Sequence, residues 1–207
     1  MDNKYRRDHG MAYYADETIL TEQLTTKRII REYNEVMPFE PDKGMECLDK
    51  VGIVHGDGIY FEPPFHCEYG KHIAVGENFY ANTGCIMLDV AQITIGRNVF
   101  FGPSVSIYTA GHPLHYESRN SGYEYGIPVM IGDNVWIGGN CVILPGVKIG
   151  NNVVIGAGSV VTKDLPDNVI AVGNPCKIMR EIIDDDKRYY FKDKKFDDEV
   201  WKIINER

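Results

Sequence analysis

Aliphatic residues recur at every sixth position in the second half of the chain. The repeat runs through IGDNVW, IGGNCV, ILPGVK, IGNNVV and IGAGSV, and its aliphatic positions are Ile131, Ile137, Ile143, Ile149, Ile155 and Val161. The third residue after each of the first five is a turn former: Asn134, Asn140, Gly146, Asn152 and Gly158. Asn and Gly tolerate positive φ, so each hexad predicts a short strand followed by a bend, as in a parallel β-helix with coils about 4.8 Å apart. The aliphatic column is the predicted core.

A weaker form of the repeat precedes this stretch. Ile73, Phe79 and Cys85 share one phase, and a second phase, offset by ten residues, holds Ile95, Phe101 and Ile107. The change of phase indicates a small insertion between the two groups.

The repeat fails between residues 108 and 128. Continuing the phase would place Pro113, Arg119 and Tyr125 in the core, and burying an unpaired arginine is costly. We therefore predict a protruding loop. Loops of this length in compact domains are often functional, although a tolerated surface excursion is the alternative.

The regions on both sides of the repeat have helical patterns. Residues 16 to 37 carry apolar residues at helical spacing behind Asp16, a candidate N-cap, and DDEVWKIINE near the end combines an acidic first turn with an apolar stripe. Both flanks can serve as the polar caps that a solenoid needs. The predicted organisation is a helical cap region (1–60), a β-helix (61–176) containing the loop, and a C-terminal segment with a helix (177–207).

Composition narrows the cellular setting and the partners. The 207-residue chain has a formal net charge of -8 and a pI near 5.2, which argues against a phosphate-tracking surface for nucleic acid. Its five cysteines include no CxxC pair, so neither a disulfide framework nor a zinc site is indicated. No stretch approaches the roughly 20 apolar residues of a membrane span, and the amino end lacks a signal-peptide pattern. We expect a cytoplasmic protein without membrane or nucleic-acid partners.

Several segments resemble one enzyme family in order and spacing: YYADET (13–18), FHCEYG (65–70), MLDV (87–90), IYTAGHP (107–113), NSGYEYGIP (120–128) and NVWIGG (134–139). They are similar to the maltose and galactoside O-acetyltransferases of the hexapeptide-repeat acyltransferase superfamily. The resemblance implies a mainly β fold with a left-handed parallel β-helix, and a homotrimer whose active sites lie between neighbours. It also implies acetyl transfer from acetyl-CoA to a sugar hydroxyl without a metal. MLDV and NSGYEYG favour the maltose branch, and so the 6-hydroxyl of maltose or glucose.

The resemblance assigns the catalytic residues. His112, between Gly111 and Pro113, matches the family's catalytic histidine, and a neutral imidazole can accept the proton of an attacking hydroxyl. Asn82 matches an asparagine beside that histidine, although it is also a candidate turn residue. Glu124 could orient His112, and the Gly139 amide matches a donor to the thioester oxygen, in a position where some relatives have serine.

The resemblance also assigns the binding residues. The acceptor would be held by Asp16, Glu68, Asn82 and Asp89. Glu68 stands where the family often has Asp, and Val90 stands where some galactoside enzymes have a further Asp. The donor would be held by Trp136, Gly139, Ala157, Thr162, Lys163, Lys177 and Arg180. Trp136 could equally pack on the outside between subunits, and Asp16 could be a helix cap alone.

Four other functions compete with this one. A galactoside or a xenobiotic acetyltransferase would share the coils and the loop histidine, but YYADET argues against the xenobiotic enzymes. A non-catalytic β-helix scaffold would leave His112 and Asn82 as coincidences. A metal-dependent hydratase needs three converging histidines, and the segment HPLH supplies two.

Overall fold

Three parallel β-sheets form the sides of the molecule, which a computed structural model describes for residues 1–206. Each coil of the chain contributes one strand to each sheet in turn, giving about 6 turns. The first sheet contains β2 (Val54–His55), β5 (Ile73–Val75), β8 (Ile93–Ile95), β13 (Val129–Ile131) and β16 (Lys148–Ile149). The second contains β3 (Tyr60–Phe61), β6 (Tyr80–Ala81), β9 (Phe100–Phe101), β14 (Trp136–Ile137), β17 (Val154–Ile155) and β19 (Val169–Val172). The third contains β4 (His66–Cys67), β7 (Ile86–Leu88), β10 (Ser106–Tyr108), β15 (Val142–Ile143) and β18 (Val160–Val161).

The aliphatic column predicted from the sequence forms the core. All six of its residues, from Ile131 to Val161, are at most 3% exposed. A second inward column lies two residues earlier in the hexads and contains Val129, Val135, Cys141, Val147 and Val153. Two inward positions separated by one outward position follow from strand alternation. The bends also agree with the prediction, because the Asn and Gly residues named for them all have positive φ.

The β-helix begins earlier than the predicted boundary at residue 61. Ile53, Ile59 and Phe65 are buried at six-residue spacing and form a first coil, and its strand β2 lies inside the segment that we assigned to the cap. Ile73 follows Phe65 by eight positions instead of six. The first coil is therefore out of phase with the next one, and a single unbroken period does not include it.

The predicted insertion amounts to two residues. Ile73 pairs directly with Ile93 in the neighbouring strand, so this coil is 20 residues long rather than the 18 of three hexads. Ile95, Phe101 and Ile107 pair with Ile131, Ile137 and Ile143 and therefore belong to the aliphatic column. Ile73, Phe79 and Cys85 belong to the second inward column, because Ile73 pairs with Ile93 and Ile93 pairs with Val129.

The amino-terminal region covers the first coil with helices. It contains α1 (Asn3–Asp8), a short strand β1 (Tyr13–Tyr14), α2 (Glu17–Val36) and α3 (Pro41–Val51). Asp16 is the N-cap of α2, and its side chain accepts a hydrogen bond from the Ile19 amide at 3.1 Å. Tyr33 and Asn34 of α2 bond to the backbone of Phe61 and Phe65, which fixes the helix on the open end of the β-helix.

The predicted excursion leaves the β-helix after β10. It contains β11 (Ala110–Gly111), α4 (Tyr116–Asn120) and β12 (Tyr123–Gly126). β12 pairs antiparallel with β11 on one side and with β1 on the other. The loop is therefore a small three-stranded sheet that includes a strand from the amino-terminal region.

The C-terminal segment folds back along the second sheet. β20 (Lys177–Glu181) pairs antiparallel with β19, and after it come a 3₁₀ helix (Asp184–Arg188), a hairpin of β21 (Tyr189–Phe191) and β22 (Lys194–Lys195), and α5 (Asp198–Asn205). The predicted terminal helix is confirmed, with Asp197 as its cap. Within residues 1–206, no helix has both the length and the apolar character needed to cross a membrane.

Candidate functional site

The candidate residues lie mainly on two edges of the β-helix. We call the edge where third-sheet strands end the loop edge, because the excursion leaves from it. It carries Glu68 after β4, Asp89 after β7, the loop with His112 and Glu124, and Thr162 and Lys163 after β18. We call the edge where second-sheet strands end the glycine edge. It carries Asn82 after β6, Gly138 and Gly139 after β14, and Ala157 after β17.

On the loop edge, His112 and Glu124 face each other. Nε2 of His112 lies 3.8 Å from Oε2 of Glu124, and the imidazole is 56% exposed while the carboxylate is 18% exposed. This separation exceeds hydrogen-bond length, but catalytic contacts often tighten only when substrate binds. His115, three residues away, is nearest to Glu117, at 3.9 Å, and is 64% exposed. The more enclosed pair is therefore His112 and Glu124.

Glu68 is held by two residues of α2. Gln23 Nε2 donates to Glu68 Oε2 at 2.6 Å, and Lys27 Nζ lies 3.6 Å from Oε1. Asp16 also belongs to this side of the molecule, but both of its oxygens are used: Asn3 donates to Oδ2 at 3.0 Å, and Oδ1 caps the helix. The hydrogen bond from Asn3, together with the cap, lowers the pKa of Asp16.

Asp89, predicted to bind the acceptor, lies beneath the turn that carries Glu68. It is fully buried, and its Oδ1 accepts hydrogen bonds from the backbone amides of Glu68 at 2.8 Å and Tyr69 at 3.0 Å. Burial raises the pKa of Asp89. Oδ1 thus shapes the turn that presents Glu68, while the buried Oδ2 has no hydrogen-bond partner within residues 1–206, and the acceptor-binding role of Asp89 stays a prediction.

The glycine edge is packed so tightly that side chains are excluded at some positions. A Cβ added to Gly138 would lie 2.5 Å from the Ala157 amide nitrogen, whereas at Gly139 the nearest atom is 3.1 Å away. The Gly139 carbonyl accepts from Gly158, but its N–H has no acceptor in the part of the chain that the structure describes. Asn82 uses its Oδ1 to accept from the Thr83 amide at 2.8 Å, so its NH₂ group is the part available for a ligand.

Trp136 and Arg180 line one groove between the second sheet and the C-terminal segment. The groove has a volume of about 330 Å³ and is also lined by Tyr190, and Trp136 is 56% exposed. Arg180 makes a bidentate ion pair with Asp186 at 2.6 and 2.8 Å, and these hydrogen bonds lower the pKa of Asp186 to about 2. Lys177 lies on the same exposed strand, β20. The predicted donor residues thus occupy three places: this groove, the glycine edge and the loop edge.

Known proteins match the chain over most of its length. A family described as bacterial transferase hexapeptide (six repeats) matches residues 128–163. The galactoside O-acetyltransferase of Escherichia coli is 45% identical over 184 residues, which is 89% of this chain and 91% of that protein. The chain belongs to the hexapeptide transferase family.

Solved structures give the same result. A maltose O-acetyltransferase from Clostridium difficile 630 is 50% identical with a TM-score of 0.85, covering 89% of this chain and 99% of that one. A galactoside acetyltransferase in complex with coenzyme A is 43% identical with a TM-score of 0.90, covering 95% and 99%. The predicted family, the β-helix fold and the acetyltransferase class are therefore confirmed for this hexapeptide transferase.

Cysteines of this acetyltransferase are poorly suited to carry an acyl group. Four of the five thiols are buried and Cys176 is half-buried. Burial raises the pKa of every one of them, that of Cys85 to about 12, and the thiolate is the reactive form. Separately, no group of three or more His, Cys, Asp and Glu side chains within residues 1–206 is arranged to hold a metal ion.

Sequence reasoning missed the contribution of the amino-terminal region to the loop edge. Gln23 and Lys27 lie seven and eleven residues after Asp16 on α2, which is the same face of a helix. That spacing was a usable signal. Tyr13, which pairs with Glu124, gave no comparable signal, because strand pairing across more than 100 residues leaves no local pattern.

Proposed function

We propose that this hexapeptide transferase moves an acetyl group from acetyl-CoA directly to a sugar hydroxyl, the 6-hydroxyl of maltose or glucose, with His112 as general base. The observation that carries the proposal is the exposed imidazole of His112 facing the more enclosed carboxylate of Glu124, on the same edge as Glu68. A carboxylate such as Glu68 can accept hydrogen bonds from sugar hydroxyls. The relatives described as maltose and galactoside O-acetyltransferases, one of them in complex with coenzyme A, support acetyl transfer from acetyl-CoA to a sugar.

The proposed reaction is a single displacement through a tetrahedral intermediate. The His112 imidazole takes the hydroxyl proton as the sugar oxygen attacks the thioester carbonyl carbon. The Gly139 N–H, which has no acceptor within residues 1–206, and the Asn82 NH₂ group are the candidate donors to the oxyanion. The C–S bond then breaks, and the imidazolium returns its proton to the leaving CoA sulfur. Glu124 supports the transient positive charge on the imidazole.

Acceptor preference depends on the side chains around Glu68. Val90 is 4% exposed and packs with Tyr13, Ile19 and Tyr69, at the position where some galactoside enzymes have a further carboxylate. Without that carboxylate, an important hydrogen-bond acceptor for a galactoside is missing. This difference favours maltose or glucose over a galactoside.

Residues for one reaction are divided between two edges of a subunit. The strands of the third sheet lie between the loop edge and the glycine edge, and each has two or three residues. At about 3.3 Å per residue, one strand and its flanking turns separate the two edges by roughly 10 Å or more. His112 and Gly139 of one subunit therefore lie on different edges of the β-helix. A homotrimer resolves this separation, because a rotational axis can bring the loop edge of one subunit to the glycine edge of the next.

Basic side chains and free thiols bear on CoA binding and on the cellular setting of the proposed enzyme. Lys163, Lys177 and Arg180 would bind the CoA phosphates despite the net negative charge, and Thr162, Ala157 and Trp136 would line the pantetheine path. The five free cysteines support a reducing, cytoplasmic setting.

The decisive experiment is an acetyl-CoA thiol-release assay across maltose, glucose, galactosides and an antibiotic acceptor, with product mapping. We expect the highest kcat/KM for maltose or glucose and acetylation at the 6-hydroxyl. Preference for a galactoside would correct the acceptor alone. Turnover of the antibiotic with no turnover of any sugar would overturn the proposed function.

A further inference from the structure

The amino-terminal strand β1 holds the far side of the protruding loop. It pairs antiparallel with β12, and Tyr13 stands directly opposite Glu124. β12 pairs in turn with β11, which ends at Gly111, the residue before His112. Directly opposed residues of an antiparallel pair project their side chains to the same face. Tyr13 and Glu124 are therefore side-chain neighbours within the sheet that carries His112.

The Tyr13 side chain is fully buried in a small cluster with Ile19, Tyr69 and Val90. Within the described residues, its hydroxyl oxygen has no hydrogen-bond partner. Burial, followed by the nearby Glu124 carboxylate and Tyr69, raises the pKa of Tyr13. A buried hydroxyl without an acceptor is unfavourable, so a small movement towards one of these two neighbours is expected.

Glu124 is the stronger of the two acceptors. A carboxylate is a stronger hydrogen-bond acceptor than the hydroxyl of another tyrosine. The Tyr69 hydroxyl already accepts from Gln23 Nε2 at 2.9 Å. The Glu124 carboxylate also lies near His112, with Oε2 at 3.8 Å from Nε2 of the imidazole.

We propose that Tyr13 is a positioning residue for the reaction: its buried hydroxyl donates a hydrogen bond to the Glu124 carboxylate and so fixes that carboxylate against His112. This inference rests on the proposed function for its catalytic consequence, but not for its geometry. It gives the amino-terminal segment a part in catalysis through a residue that touches neither substrate.

The geometric test compares crystal structures of the wild-type protein and of Tyr13→Phe, which keeps the ring and removes only the hydroxyl. We expect Tyr13 Oη within hydrogen-bond distance of Glu124 in the wild type, and a displaced Glu124 carboxylate in the variant. An unchanged carboxylate position in Tyr13→Phe would overturn the inference whatever the activity on sugars. Conversely, a protein that acetylates no sugar would defeat the proposed function while this comparison still decides the role of Tyr13.

The kinetic test uses a double-mutant cycle with the acceptor that the wild type prefers. Tyr13→Phe should lower kcat about tenfold, the effect of losing a hydrogen bond to a charged group, with the KM for acetyl-CoA unchanged. In a Glu124→Ala background the same substitution should change kcat less than about twofold. Tyr14→Phe is the matched control, because Tyr14 is 47% exposed and stands opposite Tyr123. An equal loss with and without Glu124 would show that Tyr13 only supports packing.

Discussion

At the residue scale, the exposed imidazole of His112 contrasts with thiols that burial keeps protonated. We expect His112→Ala to lower kcat by about 10² to 10⁴ with the fold retained, the usual range for a lost general base. Cys176→Ser, which alters the half-buried thiol, should keep nearly full activity. Steady-state kinetics in both substrates should give intersecting initial-rate lines. Parallel lines with a trapped acetyl-enzyme, or an almost fully active His112→Ala variant, would contradict direct transfer.

At the element scale, two adjacent glycines allow the packing of the glycine edge to be tested separately from its chemistry. A Cβ on Gly138 would meet the Ala157 backbone at 2.5 Å, so Gly138→Ala must push the two coils apart or move Ala157. We expect it to raise the KM for acetyl-CoA severalfold and to lower stability by about 1 to 3 kcal/mol. Gly139→Ala is the comparison variant: its Cβ would lie 3.1 Å from Pro103 O, a tight but less severe contact, so we expect a smaller loss of stability, and it keeps the N–H. Isothermal titration with CoA and thermal unfolding measure both effects, and equal results for the two variants would contradict this assignment.

The same scale shows which elements the sequence could predict. The β-helix was predictable because inward residues, bends and period repeat locally, and the loop was predictable because the period fails there. The first coil, which begins at Ile53, was missed because Ile73 follows Phe65 by eight positions instead of six, which breaks the phase of the repeat. The catalytic role of His112 is predicted from its motif and stays a prediction, whereas the surroundings of Asp89 and Tyr13 depend on contacts between distant segments. Those contacts follow from how the amino-terminal region packs on the coils, which periodicity does not encode.

At the scale of the whole molecule, the proposed site residues are divided between two edges, so the proposed mechanism depends on the proposed trimer. In a trimer, each active site would take His112 from one subunit and Asn82 with Gly139 from its neighbour. A variant lacking the histidine keeps an intact glycine edge, and a variant lacking the asparagine keeps an intact loop edge. The defects therefore reside on different surfaces of the subunit and can compensate each other.

This division leads to a complementation experiment with two inactive variants, His112→Ala and Asn82→Ala. Mixed by reversible dissociation and reassembly at equal amounts, they should form interfaces in which an intact loop edge meets an intact glycine edge. Random mixing gives about a quarter of all interfaces this composition, so activity should recover to about a quarter of the wild-type value. Light scattering should find a trimer for each variant and for the mixture. The control mixes His112→Ala with a His112→Ala, Asn82→Ala double variant, which has no intact loop edge and should stay inactive. A mixture no more active than its two parents, although trimeric, would place the complete site within one subunit and contradict the shared site.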